Sequence, residues 1–479
     1  LPRVTVIAAF YYFHFKKPRF IMETTISPRT LPHFRGNVIS ASDTDYDVAR
    51  KVHNGMIDKF PDYIIKCADE EDVVKVVNYA RENQLLLAVR GGGHNGAGLG
   101  VCDRGLVLDL SQMRNVKVDP ENMTVLAEGG CLLGDLDNAS HPFGLAVPTG
   151  INSTTGIGGL TLGGGLGHLT RQCGLTIDNL LEARVVLADG RVINTSASEN
   201  EDLFWAIRGG GGNFGVIISF LFRAHKVHTV FGGPMFWDMS EAKPLMAWYQ
   251  DFIKQAPESV NGFFAFHQIP PAPMFPEAFH LEKMCGIVWC CTNEEDARKT
   301  FEAVRAFRTP KIDATGPLPV PALQTMFDDL FAPGMQWYWK GDFVNDLSDE
   351  VMDIHVRHAM EIPNFFSGMH LYPINGAASR VPNEDTAWNY RNATWSMVIA
   401  GIAPDPADKQ LITDFARNYW NDLHPHGAGG AYVNFMMEEG DDRVKSTYGA
   451  NYERLARIKR KYDPQNLFCV NQNIKPGVD

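Results

Sequence analysis

GINSTTGIGGLTLGGGLGH, residues 150–168, holds eight glycines within eighteen positions: Gly150, Gly156, Gly158, Gly159, Gly163, Gly164, Gly165 and Gly167. Glycine loses more conformational freedom on folding than any other residue, so this density implies a place where side chains would intrude. It argues against a stable helix or an ordinary strand and for a backbone wandering against a large flat ligand. A second cluster stands upstream, Gly91, Gly92 and Gly93 followed by His94, Asn95, Gly96, Gly98 and Gly100. It ends the apolar run LLLAV, which predicts a strand opening into a tight turn of exposed N–H groups, a nest for an anion such as pyrophosphate. A glycine turn without a ligand is the alternative.

A third cluster, Gly210 to Gly215, matches G-x-G-x-x-G letter by letter. A dinucleotide site needs that motif after a strand and at the start of a helix, so that the helix end meets the pyrophosphate. Here the helical pattern ENEDLFWAIRG precedes it and the strand pattern GVIISFLF follows. The reversed order excludes a nicotinamide-type site.

Working outward, YIIKC, DEEDVVKVVNYARENQ and LLLAVRGGG read as strand, helix and strand, and GLVLDLS as a further strand, which is an α/β unit. Asp45 precedes a short helix over Tyr46 to His53, and LLGDLDNAS is a later one. LEARVVLA and RVINT flank Asp189 and Gly190, which predicts a hairpin with a type I′ turn. After about His225 glycine thins out. Helical patterns such as MSEAKPLMAWYQDFIKQA, NEEDARKTFEAVRAF, SDEVMDIHVRHAMEI and ADKQLITDFARNYWNDL then accompany strand patterns such as NGFFAFHQI, MCGIVWCC, WYWKGDF, NFFSGMHLYP and TWSMVIAGIAP. These proportions predict an α+β region with one antiparallel sheet and helices on one face. Within WYWKGDF, Trp337 and Trp339 should face one side of the sheet and Tyr338 the other.

The 479 residues are 45% hydrophobic and 21% charged, ordinary values for a large globular chain. Lys and Arg number 44 against 56 Asp and Glu, a net charge of -12, which gives no support to nucleic-acid or anionic-membrane binding. The eight cysteines form no CxxC pair, so reduced, mostly buried thiols and no metal site are expected. The stretch before Met22 is a poor signal peptide and too short for a membrane span. A cytoplasmic setting is expected, with secretion as the alternative. The N-x-Ser/Thr triplets at Asn122, Asn152, Asn194 and Asn392 do not establish secretion.

Four blocks in order then converge: Arg90-Gly-Gly-Gly-His94-Asn95, GIGGLTLGGGLGHLTRQCGLTIDNL (156–180), EDLFWAIRGGGGNFG (201–215), and Tyr432-Val-Asn434 with YDPQNLFCVNQNIKP (462–476). Together they resemble the flavin-dependent oxidases of the vanillyl-alcohol oxidase superfamily, in its berberine bridge enzyme-like branch. The resemblance implies an FAD-binding domain of two α/β subdomains, residues 36–218, with a C-terminal segment 430–479 returning to it. Residues 219–429 would form an antiparallel-sheet substrate domain roofing the flavin. It further implies FAD contacts from Arg90, Gly91, Gly92, Gly93, His94, Asn95 and Gly98. The second block would add Gly150, Asn152, Thr155, Gly156, Gly159, Gly163, Gly164, Gly165, Gly167, His168, Gly174, Asp178 and Asn179. Gly215, Val216, Tyr432, Asn434, Asn471 and Asn473 complete the set.

In the family the histidine of the RGGGH loop is bonded to the flavin 8α carbon, and His94 matches it. Many relatives carry a second, cysteinyl tether where this chain has Asn152, so a single attachment through His94 is implied. The implied reaction is oxidation of a hydroxyl-bearing alcohol, sugar or secondary metabolite, with O2 reduced to H2O2. In carbohydrate-oxidising and cannabinoid-forming relatives the base is the first tyrosine of Tyr-x-Asn-Tyr. Tyr432 matches it, although Phe435 replaces the second tyrosine. The berberine bridge enzyme's own glutamate has no counterpart, because Ala378 and Ser379 occupy that region, Tyr390 stands for its histidine, and Glu384 is the nearest carboxylate. Tyr338, Tyr372, Tyr390 and Glu384 are the reserve candidates. A dehydrogenase passing electrons to a quinone or protein, and a non-catalytic flavin-binding protein, are the rival readings. A small-molecule substrate, O2, and a monomer or weak homo-oligomer are the expected partners and state.

Overall fold

The computed structural model describes residues 27–477. The N-terminal segment read above as a poor signal peptide lies outside them. Two sheets carry the glycine loops. The first is four-stranded, in the order Asn37–Ser40, Tyr63–Lys66, Leu106–Asp109, Leu87–Arg90. Its last three strands are parallel, because Tyr63–Lys66, the helix Glu70–Glu82 and Leu87–Arg90 form the α/β unit read from the sequence. Asp69 caps that helix by accepting from the Asp72 N–H, and Val73, Val76, Val77 and Ala80 bury its apolar stripe.

The second sheet has five antiparallel strands, in the order Val116–Asp119, Thr124–Glu128, Val216–Arg223, Leu180–Val186, Val192–Ser196. Its hairpin forms, with a different turn. Asp189 keeps a negative φ and Gly190 alone is left-handed at +85°, while the Gly190 N–H donates to the Leu187 carbonyl. This is a type I turn closed by a left-handed glycine, the three-residue solution, in place of type I′. Two further elements depart from expectation. The helix after Asp45 is only Tyr46–Ala49, and a short helix does form inside the glycine stretch, Ile157–Gly163. Tertiary packing overrides propensity there, since Ile157, Gly158, Thr161 and Gly163 are all buried.

The third sheet is antiparallel and eight-stranded, running Ile312–Asp313, Thr229–Asp238, Lys283–Cys291, Val260–Gln268, Gly368–Pro373, Trp395–Ala403, Gln336–Val344, with Gly316–Pro319 also paired to Thr229–Asp238. Its two faces do different work. The helices Ala242–Gln255, Glu294–Phe307, Asp349–Ala359 and Lys409–Leu423 cover one face over a core of Trp237, Tyr249, Trp289 and Trp395. The other face presents Phe263, Ala265, Val288, Phe343, Tyr372 and Val398 to Leu166, Trp388 and Tyr432. All eight cysteines are free and only Cys469 is not buried. No helix among the described residues is long and apolar enough to cross a membrane.

One buried ion pair ties the glycine stretch to the third sheet's connections. Arg391 grips both carboxylate oxygens of Asp178 at 2.7 and 2.6 Å and also donates to the Ala378 carbonyl and the Thr386 hydroxyl. Removing one partner leaves the other charge buried and alone, which costs about 3 to 5 kcal/mol. Arg391→Met should therefore lower the thermal midpoint markedly. The double variant with Asp178→Leu should lose less than the sum of the single losses. Calorimetry showing Arg391→Met within error of the parent would contradict the assignment.

Candidate active site

The glycine loops, the second sheet and the inner face of the third sheet enclose a cavity of about 350 Å³. At its floor the two loops meet backbone to backbone. A Cβ on Gly92 would lie 2.4 Å from the Gly156 nitrogen, and one on Gly156 would lie 2.3 Å from the Gly92 nitrogen. Only two glycines can cross there. Farther along, Gly159 and Gly212 line the cavity and have no protein atom within 4 Å of where a Cβ would be. They face open channel. Buried polar atoms without a protein partner also sit on this wall, among them Asn152 Nδ2, Asn471 Oδ1, Tyr448 Oη and His53 Nε2. An elongated ligand with its own donors and acceptors would satisfy them. These features fit an FAD-sized group.

His94 lies at one end. Its ring stacks on His53 with centroids 3.7 Å apart, and its Nε2 is 2.8 Å from the Thr154 hydroxyl. That hydroxyl donates to Asn152 Oδ1 at 2.6 Å. The hydroxyl proton is thus committed, so Thr154 accepts from the His94 Nε2–H and leaves Nδ1 as the lone-pair nitrogen. Burial first, then His53, holds His94 well below the usual imidazole range, which keeps it neutral. Burial likewise lowers His53 to about 4.

Tyr432 is 2% exposed and lines the cavity from the third-sheet side. Its phenol oxygen accepts the Gly165 N–H at 2.9 Å and the Asn434 amide at 2.8 Å. Gly165 reaches it in a left-handed conformation, φ +79°, with the Thr176 hydroxyl only 1.9 Å from where a Cβ would stand. Burial raises the Tyr432 pKa, while the Asn434, Gly165 and Leu166 hydrogen bonds oppose the rise. Those donors are placed to stabilise a phenolate.

The structure brings together Arg90, Gly91, Gly92, Gly93, His94, Asn95, Gly150, Asn152, Thr155, Gly156, Gly159, Gly215, Tyr432, Asn434 and Asn471 on the cavity wall. Gly98, Gly163, Gly164, Gly165, Gly167, His168, Gly174, Asp178, Asn179, Val216 and Asn473 do not line it. Gly163 gives room to Asn434, and Gly167 to the Thr149 and Gly150 carbonyls. Asp178 binds Arg391, and Asn179 donates to the Cys173 and Leu175 carbonyls. Among the reserve bases only Tyr372 lines the cavity. Tyr338 faces away and accepts from Arg417, while Tyr390 donates to the Ser446 carbonyl.

Several lining residues carry no sequence signal of their own: His53, Phe331, His370, Val398, Ala400 and Ile402. Strand alternation does put Trp337 and Trp339 on the same face as these, and register adds the rest, since Trp337 pairs with Ile402, Trp339 with Ala400 and His370 with Val398. Arg90 is the one Asp, Glu, Lys or Arg of the lining, and Asp109 already pairs it at 2.6 Å. Gly211 and Gly212, set aside as a nicotinamide motif, line the cavity in the reversed helix-to-strand context.

Comparison with known proteins agrees with this geometry. Residues 61–196 match the FAD binding domain family and residues 431–475 the berberine and berberine-like family. The FAD-linked oxidoreductase pgmH of Aspergillus terreus is 43% identical over 475 residues, covering 91% of this chain and 92% of that protein. The crystal structure of 6-hydroxy-D-nicotine oxidase from Arthrobacter nicotinovorans superimposes with a TM-score of 0.84 at 25% identity, covering 95% of this chain and 100% of that one. Glucooligosaccharide oxidase from Acremonium strictum, whose structure is described for its 6-S-cysteinyl, 8α-N1-histidyl FAD, shares the fold at a TM-score of 0.82 and 22% identity, covering 93% and 98%.

Two alanine variants separate the roles of the glycines. Gly156→Ala forces a methyl against the Gly92 backbone, so both stability and FAD content should fall. Gly159→Ala meets no protein atom and should leave the stability of the flavin-free chain unchanged while lowering FAD content. Absorbance at 450 nm per chain, beside thermal melts, checks both.

Proposed function

The chain belongs to the FAD-linked oxidoreductases of the berberine bridge enzyme-like branch of the vanillyl-alcohol oxidase superfamily, and we propose that it oxidises an uncharged, ring-bearing small molecule at a hydroxyl-bearing carbon, with O2 as electron acceptor. The observation that carries the substrate class is the cavity wall opposite the glycine loops. Phe331, Trp337, Trp339, Val398, Ala400, Ile402 and Phe435 make it apolar and largely aromatic, and Tyr432 and Tyr372 are phenols on it. Such a wall stacks on a planar ring, and its polar atoms are confined to the Trp337 and Trp339 indole N–H groups, which have no protein partner, His370 and the two phenols.

FAD, when bound, accepts hydride and passes the electrons to O2. His94 is the residue that would hold it covalently, since its Nδ1 lone pair is free and its Nε2–H is fixed by Thr154 and Asn152. Asn152 stands where the doubly tethered relatives have cysteine, and its amide here orients Thr154. The attachment is therefore single. Tyr432 is the proposed base. Its oxygen, held by the Gly165 N–H and the Asn434 amide, takes the substrate's hydroxyl proton as a phenolate stabilised by those two donors.

Three measurements test this reading. Acid precipitation and proteolysis should leave flavin on one peptide, the one containing His94. Release of all the colour into the supernatant would contradict the tether. An oxygen electrode with coupled peroxide detection, run over a panel of ring-bearing alcohols, should show matched O2 loss and H2O2 gain. Reduced flavin that persists in air but discharges rapidly to a quinone would favour a dehydrogenase. Tyr432→Phe should slow flavin reduction by about 10²- to 10⁴-fold with FAD still attached. A near-parental rate would remove Tyr432 as the base.

A further inference from the structure

The proposed base has no outlet of its own. Both partners of the Tyr432 oxygen are N–H donors, so neither takes a proton from it. Tyr372 is the other phenol of the same wall and packs in the same buried cluster, with the Phe435 ring 4.9 Å from Tyr432 and 5.9 Å from Tyr372. Behind Tyr372 stands a hydrogen-bonded chain. Its hydroxyl is 2.8 Å from His370 Nδ1, and His370 Nε2 is 2.6 Å from His267 Nε2. His267 is half-buried, near the end of its strand.

The register explains why these three meet. His370 and Tyr372 alternate onto the cavity face of Gly368–Pro373, and the neighbouring strand brings His267 opposite Gly368. Glycine is needed at that pairing position. A Cβ on Gly368 would lie 2.5 Å from His267 Cε1 and 2.7 Å from its Nδ1, so the missing side chain is the space the ring uses to lean toward His370.

The hydrogen bonds also set a direction. His267 Nε2 faces His370, while its Nδ1 lies on the Gly368 side, 2.7 Å from where a Cβ there would stand; the Ser367 backbone favours a proton on the ring, and it is assigned to Nδ1. With that proton on Nδ1, His267 Nε2 is the acceptor, His370 donates from Nε2, and the Tyr372 hydroxyl donates to His370 Nδ1. Every hydrogen in the chain points outward.

We propose that Tyr372, His370 and His267 form a proton relay that drains the pocket, with Tyr372 as its inner end. The proposal rests on the reading of Tyr432 as the base. The two phenol oxygens share no direct hydrogen bond, so a pocket water carries the first step: it takes the proton from Tyr432 as it gives one of its own to Tyr372, whose old O–H bond breaks toward His370 Nδ1. The His370 Nε2–H bond then breaks toward His267 Nε2, and His267, carrying two N–H groups, releases one proton to water. One proton enters, one leaves and no electrons move. Burial keeps both rings neutral at rest, His267 near 4 and His370 well below the usual range, so the relay passes a charge without storing it.

The test has one arm that needs no substrate. Nitrogen NMR of the ¹⁵N-histidine holoenzyme, assigned with His370→Gln, should show His370 protonated on Nε2 and bare on Nδ1. A proton on Nδ1 would reverse the chain and overturn the proposal. The second arm follows flavin reduction by benzyl alcohol. His267→Ala should slow reduction about tenfold or more, and imidazole in the buffer should restore part of the rate. Gly368→Ala, which displaces the same ring, should slow reduction similarly. A parental rate for His267→Ala with no response to imidazole, while Tyr432→Phe is slow, would overturn the relay and leave the Tyr432 reading standing. A slow, imidazole-rescued His267→Ala beside a parental Tyr432→Phe would keep the relay and remove Tyr432.

Discussion

The contact between Gly92 and Gly156 is the constraint on which the rest depends. Each backbone nitrogen lies closer to the other residue's missing Cβ than any real side chain tolerates. The crossing locks the loop that ends the four-stranded sheet to the loop that opens the helix Ile157–Gly163. His94 follows from the first loop and Asn152 and Thr154 precede the second, so their hydrogen-bonded alignment is a consequence of that crossing. The conformational entropy spent on so many glycines is recovered as a rigid, narrow floor with its N–H groups and orphan polar atoms turned toward a ligand.

The third sheet supplies the opposite wall by a plain division of faces. Strand alternation sends one set of side chains into the helical layer and the other toward the glycine loops. The inner set is mostly aromatic and aliphatic, with Asn261, His267, His370 and Tyr372 among its polar members, and the ion pair of Arg391 with Asp178 fixes its connections against the glycine stretch. In this uncharged setting the polar groups have specific partners. Tyr432 is held by donors, whereas Tyr372 has an imidazole acceptor behind it. Two phenols on one wall thus have opposite hydrogen-bonding polarity.

Much of this was legible in the sequence, and the reasons for the remainder are physical. The glycine clusters, the strand–helix–strand unit and the alternation of Trp337, Tyr338 and Trp339 are local patterns, and local patterns can be read from a chain. The helix Ile157–Gly163 was not legible, because its stability comes from burial by distant segments. The turn at Asp189 depended on a φ that composition leaves open between two hairpin solutions. His53, His370 and Ile402 reach the cavity only through tertiary contact and strand register, which no single stretch encodes. In the sequence Asn152 marks a flavin contact and a missing second tether. The structure gives it a role as the acceptor that orients Thr154.

The central claim is that an aromatic, uncharged wall over a flavin floor selects an alcohol carried on a planar aromatic ring over a polyhydroxylated sugar. Anaerobic mixing of the oxidised holoenzyme with benzyl alcohol or with xylobiose, followed at 450 nm, tests it most directly because no acceptor is involved. The account predicts bleaching by the ring-bearing alcohol and none by the disaccharide at equal concentration. Bleaching by xylobiose with no response to ring-bearing alcohols would contradict it.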